Sequence, residues 1–343
     1  MRLADFDYEL PPELIANEAT SDRSGSRMLV VQRTSASLTD EAFTEFAVIL
    51  RDDDVLVLNN TRVFPARLFG RTETGANVEV FLVTKVANNL WRALARPAKR
   101  LKLGRTVGFS DMLSATVLER SDNGGVVLLF TAADDFDGII DKIGKTPLPP
   151  YIKRDRSQLD RDRERYQTVY AKQRGAIAAP TAGLHFTPEI LDTIKQKGVS
   201  VAEITLHVGY GTFEPVRVDD LSEHNVQPEQ YEMQQETANQ LNEAKKAGRR
   251  IIAVGTTTTR ALETNFSRHG RFKAENSFAD LTIRPGDEFN AIDGLLTNFH
   301  LPKSSLLVLV STFGGHELIM NAYRHAVESR YRFYSYGDCM LIL

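Results

Sequence analysis

Five short polar segments hold most of the residues in this sequence that could do chemistry, and each follows or interrupts an apolar run. The densest runs from Gly175 through Thr181, Gly183 and His185 to Glu189. Here a short apolar strand enters a small-residue turn, and Thr187-Pro188-Glu189 opens a helix with an N-cap threonine and a first-turn proline. Turns of this kind lie at the carboxyl ends of strands, where α/β folds bind ligands because free helix amides attract anionic groups. His185 would stand beside that opening; the same residues also suit a plain tight turn, with Gly183 relieving it and His185 hydrogen-bonded for structure. A second segment, His207-Val208-Gly209-Tyr210-Gly211-Thr212, spaces two glycines so that a backbone can approach a ligand closely. It lacks the third glycine and downstream acid of a dinucleotide fingerprint, and an ordinary turn accounts for it equally well.

The third segment, Gly255-Thr256-Thr257-Thr258-Thr259-Arg260, again follows a strand-like run. Its four hydroxyls and helix-end amides could cradle a carboxylate or phosphate, with Arg260 pairing in bidentate fashion, although a threonine-rich cap has the same composition. It is not a P-loop, because GxxxxGK[ST] occurs nowhere. The fourth contributes Asn298 and His300. The fifth, Tyr331 to Met340, interleaves aromatics with Arg332 and Asp338, a set that suits stacking of adenine or another base and equally suits burial of a C-terminal tail. Seven scattered histidines show no HExxH, CxxC or two-His-one-carboxylate spacing, so no metal is expected. No GxSxG elbow supports a serine hydrolase.

Cys339 is the only cysteine, which excludes an internal disulfide and fits a reducing, cytoplasmic setting. The longest apolar runs, Leu306 to Val310 and Val126 to Phe130, fall far short of the roughly 20 residues a membrane span needs. The N-terminus, Met1-Arg2-Leu3-Ala4-Asp5-Phe6, has no secretory pattern. A net charge of -3 argues against a generally basic nucleic-acid binder, so local patches matter. Arg96, Lys99, Arg100, Lys102 and Arg105 occur without an intervening acid, and a weaker cluster runs from Lys153 to Arg165. Lys99, Arg100, Lys102 and Arg154 are the candidate RNA contacts; a solvated loop or a salt-bridged face would carry the same charges.

These segments need positioning elements. Between Phe69 and Phe130 short apolar stretches recur without helical periodicity, separated by turn material such as Asp122-Asn123-Gly124-Gly125, which predicts a small antiparallel barrel or sandwich. On either side, strands alternate with amphipathic helices: strand 28–32, helix 40–50, strand 55–58, helix 188–197, strand 199–207, helix 235–246 and strand 251–254. The expected partition is a discontinuous α/β domain, 1–68 and 148–343, with an all-β domain of residues 69–147 inserted in it, the return marked by Pro147-Leu148-Pro149-Pro150.

Taken in order, Phe6-Asp7-Tyr8-Glu9-Leu10-Pro11, Ser26-Arg27-Met28-Leu29-Val30, Asn60-Thr61-Arg62-Val63-Phe64-Pro65, Leu148-Pro149-Pro150-Tyr151-Ile152, Tyr166-Gln167-Thr168-Val169-Tyr170-Ala171 and the five segments above resemble the queuosine-pathway S-adenosylmethionine:tRNA ribosyltransferase-isomerases. The resemblance implies an α/β barrel with an inserted antiparallel β-barrel. It also implies transfer and isomerisation of the ribosyl part of S-adenosylmethionine onto 7-aminomethyl-7-deazaguanine in tRNA, giving epoxyqueuosine, adenine and methionine. S-adenosylmethionine is then a co-substrate, with no metal, prosthetic group or obligate protein partner. On that footing His185 or His207, before His300, is the base, and Asp338 assists the departing adenine. Arg260 and the Thr256-Thr257 turn meet the methionine carboxylate, Gly209 and Gly211 admit the ribose, and Arg62, Thr181, Gly183, Thr212, Asn298 and His300 complete the substrate contacts. The chain departs from the family pattern at Asn60, usually aspartate, at Val226-Gln227, usually Met-His, and at Thr282, usually phenylalanine; Glu229 is retained. The rival readings are another α/β nucleotide-binding enzyme and a non-catalytic RNA-binding protein.

Overall fold

The computed structural model describes every residue except 123, 150, 153, 155–161, 210 and 212–215. Two compact units emerge: Met1–Arg62, Gln167–Gln173 and Ala179–Leu343 form the first, and Val63–Tyr166 with Arg174–Ala178 form the second. Pro147, Leu148 and Pro149, expected to mark the return, thus fall inside the second unit.

The strands are, in chain order, β1 (Arg27–Gln32), β2 (Ser37–Ala42), β3 (Val55–Asn59), β4 (Thr61–Val63), β5 (Arg67–Thr72), β6 (Asn77–Ala87), β7 (Leu90–Arg96), β8 (Thr106–Ser110) and β9 (Leu113–Arg120). They continue with β10 (Gly125–Ala132), β11 (Gln173–Ala176), β12 (Ser200–Leu206), β13 (Glu229–Met233), β14 (Ile251–Val254), β15 (Glu275–Ala279), β16 (Gly294–Asn298) and β17 (Cys339–Ile342). The helices are α1 (Phe46–Ile49), α2 (Phe136–Ile143), α3 (Pro188–Gln196), α4 (Gln235–Lys246), α5 (Thr256–His269), α6 (Ser305–Gly314) and α7 (His316–Glu328).

The first unit is built on a nine-stranded mixed sheet in the order β15-β13-β12-β3-β14-β16-β17-β1-β2. Every residue of β3, β14, β16 and β17 is buried. Continuous apolar runs of this kind mark strands covered on both faces, as parallel pairing requires. β3 indeed runs parallel to β12 and β14, and β14 parallel to β16. β17 is antiparallel to β16 and parallel to β1. The carboxyl ends of β3, β12, β14 and β16 therefore lie along one edge of the sheet with the amino ends of β17 and β1. Against the sheet packs a core that includes Phe43, Phe46, Phe186 and Ile194, all essentially inaccessible to solvent. Each such side chain contributes roughly 1.5–3 kcal/mol through burial.

The helix expected over 40–50 is shortened. Residues 37–42 pair antiparallel with β1, and only Phe46–Ile49 form an α-turn, after a 3-10 turn at Phe43–Glu45. Phe43, Phe46, Ala47 and Leu50 carry the 3,4-spaced apolar pattern and are buried, but the hairpin with β1 claims the residues before them.

In the second unit β5 to β10 close into a barrel, β10-β7-β6-β5-β8-β9, which decides between the barrel and the sandwich. The all-β reading of 69–147 passes over α2, whose N-cap Asp135 accepts the Gly138 N–H at 2.8 Å. Phe136 at its start stacks on Trp91, with ring centroids 5.9 Å apart. Mixed α/β architecture with a closed antiparallel barrel is as the change of periodicity along the chain predicts. Among the described residues no helix is long and apolar enough to cross a membrane.

Candidate active site at the sheet edge

The turn Thr181–His185 lies at this edge, and its exit into α3 is fixed by Thr187, whose hydroxyl accepts the Ile190 N–H at 3.3 Å ahead of Pro188. A Cβ on Gly183 would stand 2.0 Å from the Tyr170 hydroxyl, so any side chain there would displace that buried ring. His185 is buried, with Nδ1 2.8 Å from Ser26 Oγ and Nε2 3.1 Å from Asn298 Nδ2. An amide nitrogen only donates, so Nε2 accepts, and the proton assigned to Nδ1 is donated to Ser26. Burial, helped by the Arg332 charge, pulls His185 down to about 4, so the ring is neutral near pH 7. Asn298 also donates to the Asp338 carbonyl at 3.4 Å. The Asp338 carboxylate accepts the backbone N–H groups of Arg27 at 2.9 Å and Arg332 at 2.8 Å, while burial pushes its carboxyl up.

His207 follows β12. Its backbone N–H donates to Gln230, and its Nδ1 lies 2.8 Å from Thr61 Oγ1, just beyond β3. Among the described residues its Nε2 makes no hydrogen bond. Half-buried, it is lowered below 6.5 by desolvation, with Glu232 pulling the other way. The loop beyond is pinned by Glu229, which accepts the Gly209 N–H at 3.0 Å and Arg260 Nη1 at 2.8 Å. The rest of the Arg260 guanidinium donates to the carbonyls of Leu281, Gln227 and Ala279. Arg260 is thus tied to its own fold. α5 begins after Gly255, whose φ of 93° suits glycine alone. The hydroxyls of Thr258 and Thr259 turn back to the carbonyls of Val254 and Gly255, so of the four threonines only Thr256 and Thr257 keep hydroxyls outside that ladder.

His300 Nε2 lies 2.9 Å from Thr297 Oγ1, the His300 backbone N–H donates to the Tyr323 hydroxyl, and its carbonyl accepts the Tyr8 hydroxyl. Burial lowers it to about 3. The tail aromatics Tyr331 and Phe333 are fully buried against Phe299, which makes them packing residues. The structure therefore brings His185, His207, His300, Asn298, Asp338, Thr181, Gly183, Gly209, Thr256, Thr257 and Arg260 to one edge of one sheet. Gly211 lies further along the β12 loop, close against Gln227, whose Cβ would be 2.9 Å from an added Cβ. Arg62 is exposed on β4. Thr212 lies outside the described residues.

In the second unit Lys99, Arg100 and Lys102 are exposed, the first two on the 3-10 turn Ala98–Arg100. Arg154 is instead held by Asp162 at 2.8 Å, its side chain only 10% exposed. The departures from the family pattern have partners of their own. Asn60 donates to Glu203 at 3.0 Å, where an aspartate would face like charge, and the Thr282 hydroxyl accepts the Val226 N–H at 3.0 Å, which a phenylalanine could not. Ser26 and Thr61, which hold the two histidines, and Glu229, which forms the clamp, stand in the sequence only as parts of the family-like pattern, without a role; a hydroxyl next to a strand carries no such signal without the fold. Among the described residues no group of three His, Cys, Asp or Glu side chains could hold a metal ion.

A sheet edge that gathers neutral histidines, amides and hydroxyls at the ends of parallel strands, in a chain with an inserted closed barrel, defines an α/β enzyme with a polar strand-end site. The sequence matches the family described as queuosine biosynthesis protein over residues 3–342. The chain belongs to that family. It is 50% identical, over the full length of both chains, to the S-adenosylmethionine:tRNA ribosyltransferase-isomerase of Staphylococcus haemolyticus, and 47% identical, again over both full lengths, to that of Trichlorobacter lovleyi. The crystal structure of the S-adenosylmethionine tRNA ribosyltransferase from Thermotoga maritima aligns with 99% of this chain and 100% of its own, at 38% identity and a TM-score of 0.56.

Proposed function

We propose that this protein transfers and isomerises the ribosyl moiety of S-adenosylmethionine onto 7-aminomethyl-7-deazaguanine in tRNA, releasing adenine and methionine and leaving epoxyqueuosine. The observation that carries the reading is the gathering of four strand-end loops and three lowered histidines at one sheet edge, in a chain that is half identical over its whole length to enzymes named for this reaction. The sulfonium acidifies hydrogens on the adjoining ribose carbon, so a neutral base starts ring opening and adenine expulsion. His207 is that base. It is neutral at pH 7, Thr61 fixes Nδ1, and Nε2 is uncommitted, whereas both ring nitrogens of His185 are engaged. His185 orients Ser26 and Asn298. Asp338, its carboxyl raised by burial, hydrogen-bonds the departing adenine.

The methionine carboxylate meets the start of α5 at Thr256 and Thr257, where helix amides favour an anion. Arg260 acts through Glu229 on the Gly209 loop. Lys99, Arg100 and Lys102 supply phosphate contacts. S-adenosylmethionine is consumed as co-substrate, without metal or prosthetic group or obligate protein partner, in the cytoplasm. The same reading takes the parallel strands of the first unit, with α3, α4 and α5 between or after them, as part of an α/β barrel. The test is incubation with S-adenosylmethionine and an anticodon stem-loop bearing the aminomethyl base. A gain in RNA mass with free adenine and methionine is expected; unmodified RNA in the presence of folded protein would overturn the reading.

A further inference from the structure

Three polar atoms around the Thr181–His185 turn have no hydrogen-bond partner among the described residues: the Tyr170 hydroxyl, Thr168 Oγ1 and Asn298 Oδ1. Their residues are 8%, 5% and 3% exposed, so bulk water is largely shut out. Buried polar groups are nearly always paired, and an unpaired one forfeits its hydration for nothing. Three such atoms around one five-residue turn call for a reason.

The geometry groups them. A Cβ on Gly183 would stand 2.0 Å from the Tyr170 hydroxyl and 2.8 Å from Thr168 Cγ2, so both side chains lie against that glycine. Asn298 reaches the far end of the same turn through His185 Nε2, at 3.1 Å. Arg23 ties the two segments together from their backbones, donating to the Gln167 carbonyl at 2.8 Å and the Leu184 carbonyl at 3.4 Å, and leaves the three atoms untouched. All three are uncharged. Two hydroxyls can both donate and accept, and one amide oxygen can only accept. Burial raises the Tyr170 phenol, which keeps it protonated and able to donate. Such a set mismatches a phosphate or carboxylate and matches neighbouring hydroxyls together with an amine.

We propose that Thr168, Tyr170 and Asn298 form the subsite for the uncharged nucleoside portion of S-adenosylmethionine, the two hydroxyls bonding the ribose diol and Asn298 Oδ1 accepting from the adenine amine. The proposal rests on the function proposed above and adds to it the residues that recognise the nucleoside. It also accounts for Gly183: any side chain there would fill the space that brings Tyr170 to the turn.

Tyr170→Phe and Thr168→Val each delete one hydroxyl at nearly constant shape. An unpaired buried hydroxyl does not stabilise the free protein, so each variant keeps or raises the thermal midpoint of the unliganded chain. Calorimetric titration then shows S-adenosylmethionine and adenosine binding about tenfold more weakly to each variant, the size of one lost hydrogen bond. 2′,3′-Dideoxyadenosine, which lacks the diol, binds wild type and both variants alike. Unchanged affinity for S-adenosylmethionine in both variants overturns the proposal. So does a lowered thermal midpoint in both, which would show the hydroxyls to be partnered within the free protein. The two readings fail separately: a wild-type protein that neither binds S-adenosylmethionine nor releases adenine sinks the function, whereas wild-type turnover with full affinity in the variants sinks only this subsite.

Discussion

His207 and His185 differ in what occupies their second ring nitrogen, and that difference assigns their roles. Asn298 and Ser26 engage both nitrogens of His185, whereas Thr61 engages only Nδ1 of His207. His207→Gln should therefore lower turnover by about 10²- to 10⁴-fold, the usual contribution of a positioned base, with an unchanged circular dichroism spectrum. Adenine release measured at saturating S-adenosylmethionine checks this, and a variant within a few-fold of wild type would move the base elsewhere. The histidines and Asn298 were legible because their residue types stand out beside strand-end turns. Ser26 was not, since its partner lies 159 positions away in sequence. Arg260 shows the opposite limit: an arginine in a threonine-rich turn reads as an anion ligand until the fold supplies a buried carboxylate.

At the scale of elements, the clamp formed by Glu229 and Arg260 holds the start of the β12 loop to β13 and α5. Both side chains are at most 5% exposed, and removing one partner of such a pair strands a buried charge. Glu229→Ala should cost about 3–5 kcal/mol in urea unfolding and also release the Gly209 N–H. A loss below about 1 kcal/mol would mean that the pair is not a structural anchor. Elements with strong, uninterrupted patterns were legible to the residue: α4 and β14 have the bounds that periodicity gives. Residues 40–42 were misread because a 3,4-spaced apolar pattern begins just after them, while the hairpin pairing that claims them depends on β1. α2 was missed because it is a short helix directly following β10, where the strand pattern dominates.

For the whole molecule, the buried neutral histidines set the dependence of stability on pH. His185 and His300 are lowered to about 4 and about 3, against 6.5 in the unfolded chain. Above pH 6.5 both states are neutral and neither histidine contributes. As pH falls from 6.5 toward 4, the unfolded chain takes up protons that the fold refuses, so stability is lost in that window. For His185 the loss amounts to about 3 kcal/mol, and His185→Gln should remove that share, read as a shallower fall in urea midpoint between pH 6.5 and 4. An identical slope in the variant would contradict the burial of a neutral ring. The presence of a mixed α/β sheet and an antiparallel barrel was legible from the change of period, but the crossings between the two units at 62/63, 166/167, 173/174 and 178/179 were not, because contacts rather than composition set them. The claim on which everything else depends is that the loops along one sheet edge bind S-adenosylmethionine. Hydrogen–deuterium exchange with and without that ligand tests it directly: protection should appear together in Ser24–Arg27, Thr181–His185, His207–Gly209, Gly255–Thr257 and Asn298–His300. Protection confined to the barrel strands β5 to β10, with those five segments unchanged under saturating ligand, would contradict it.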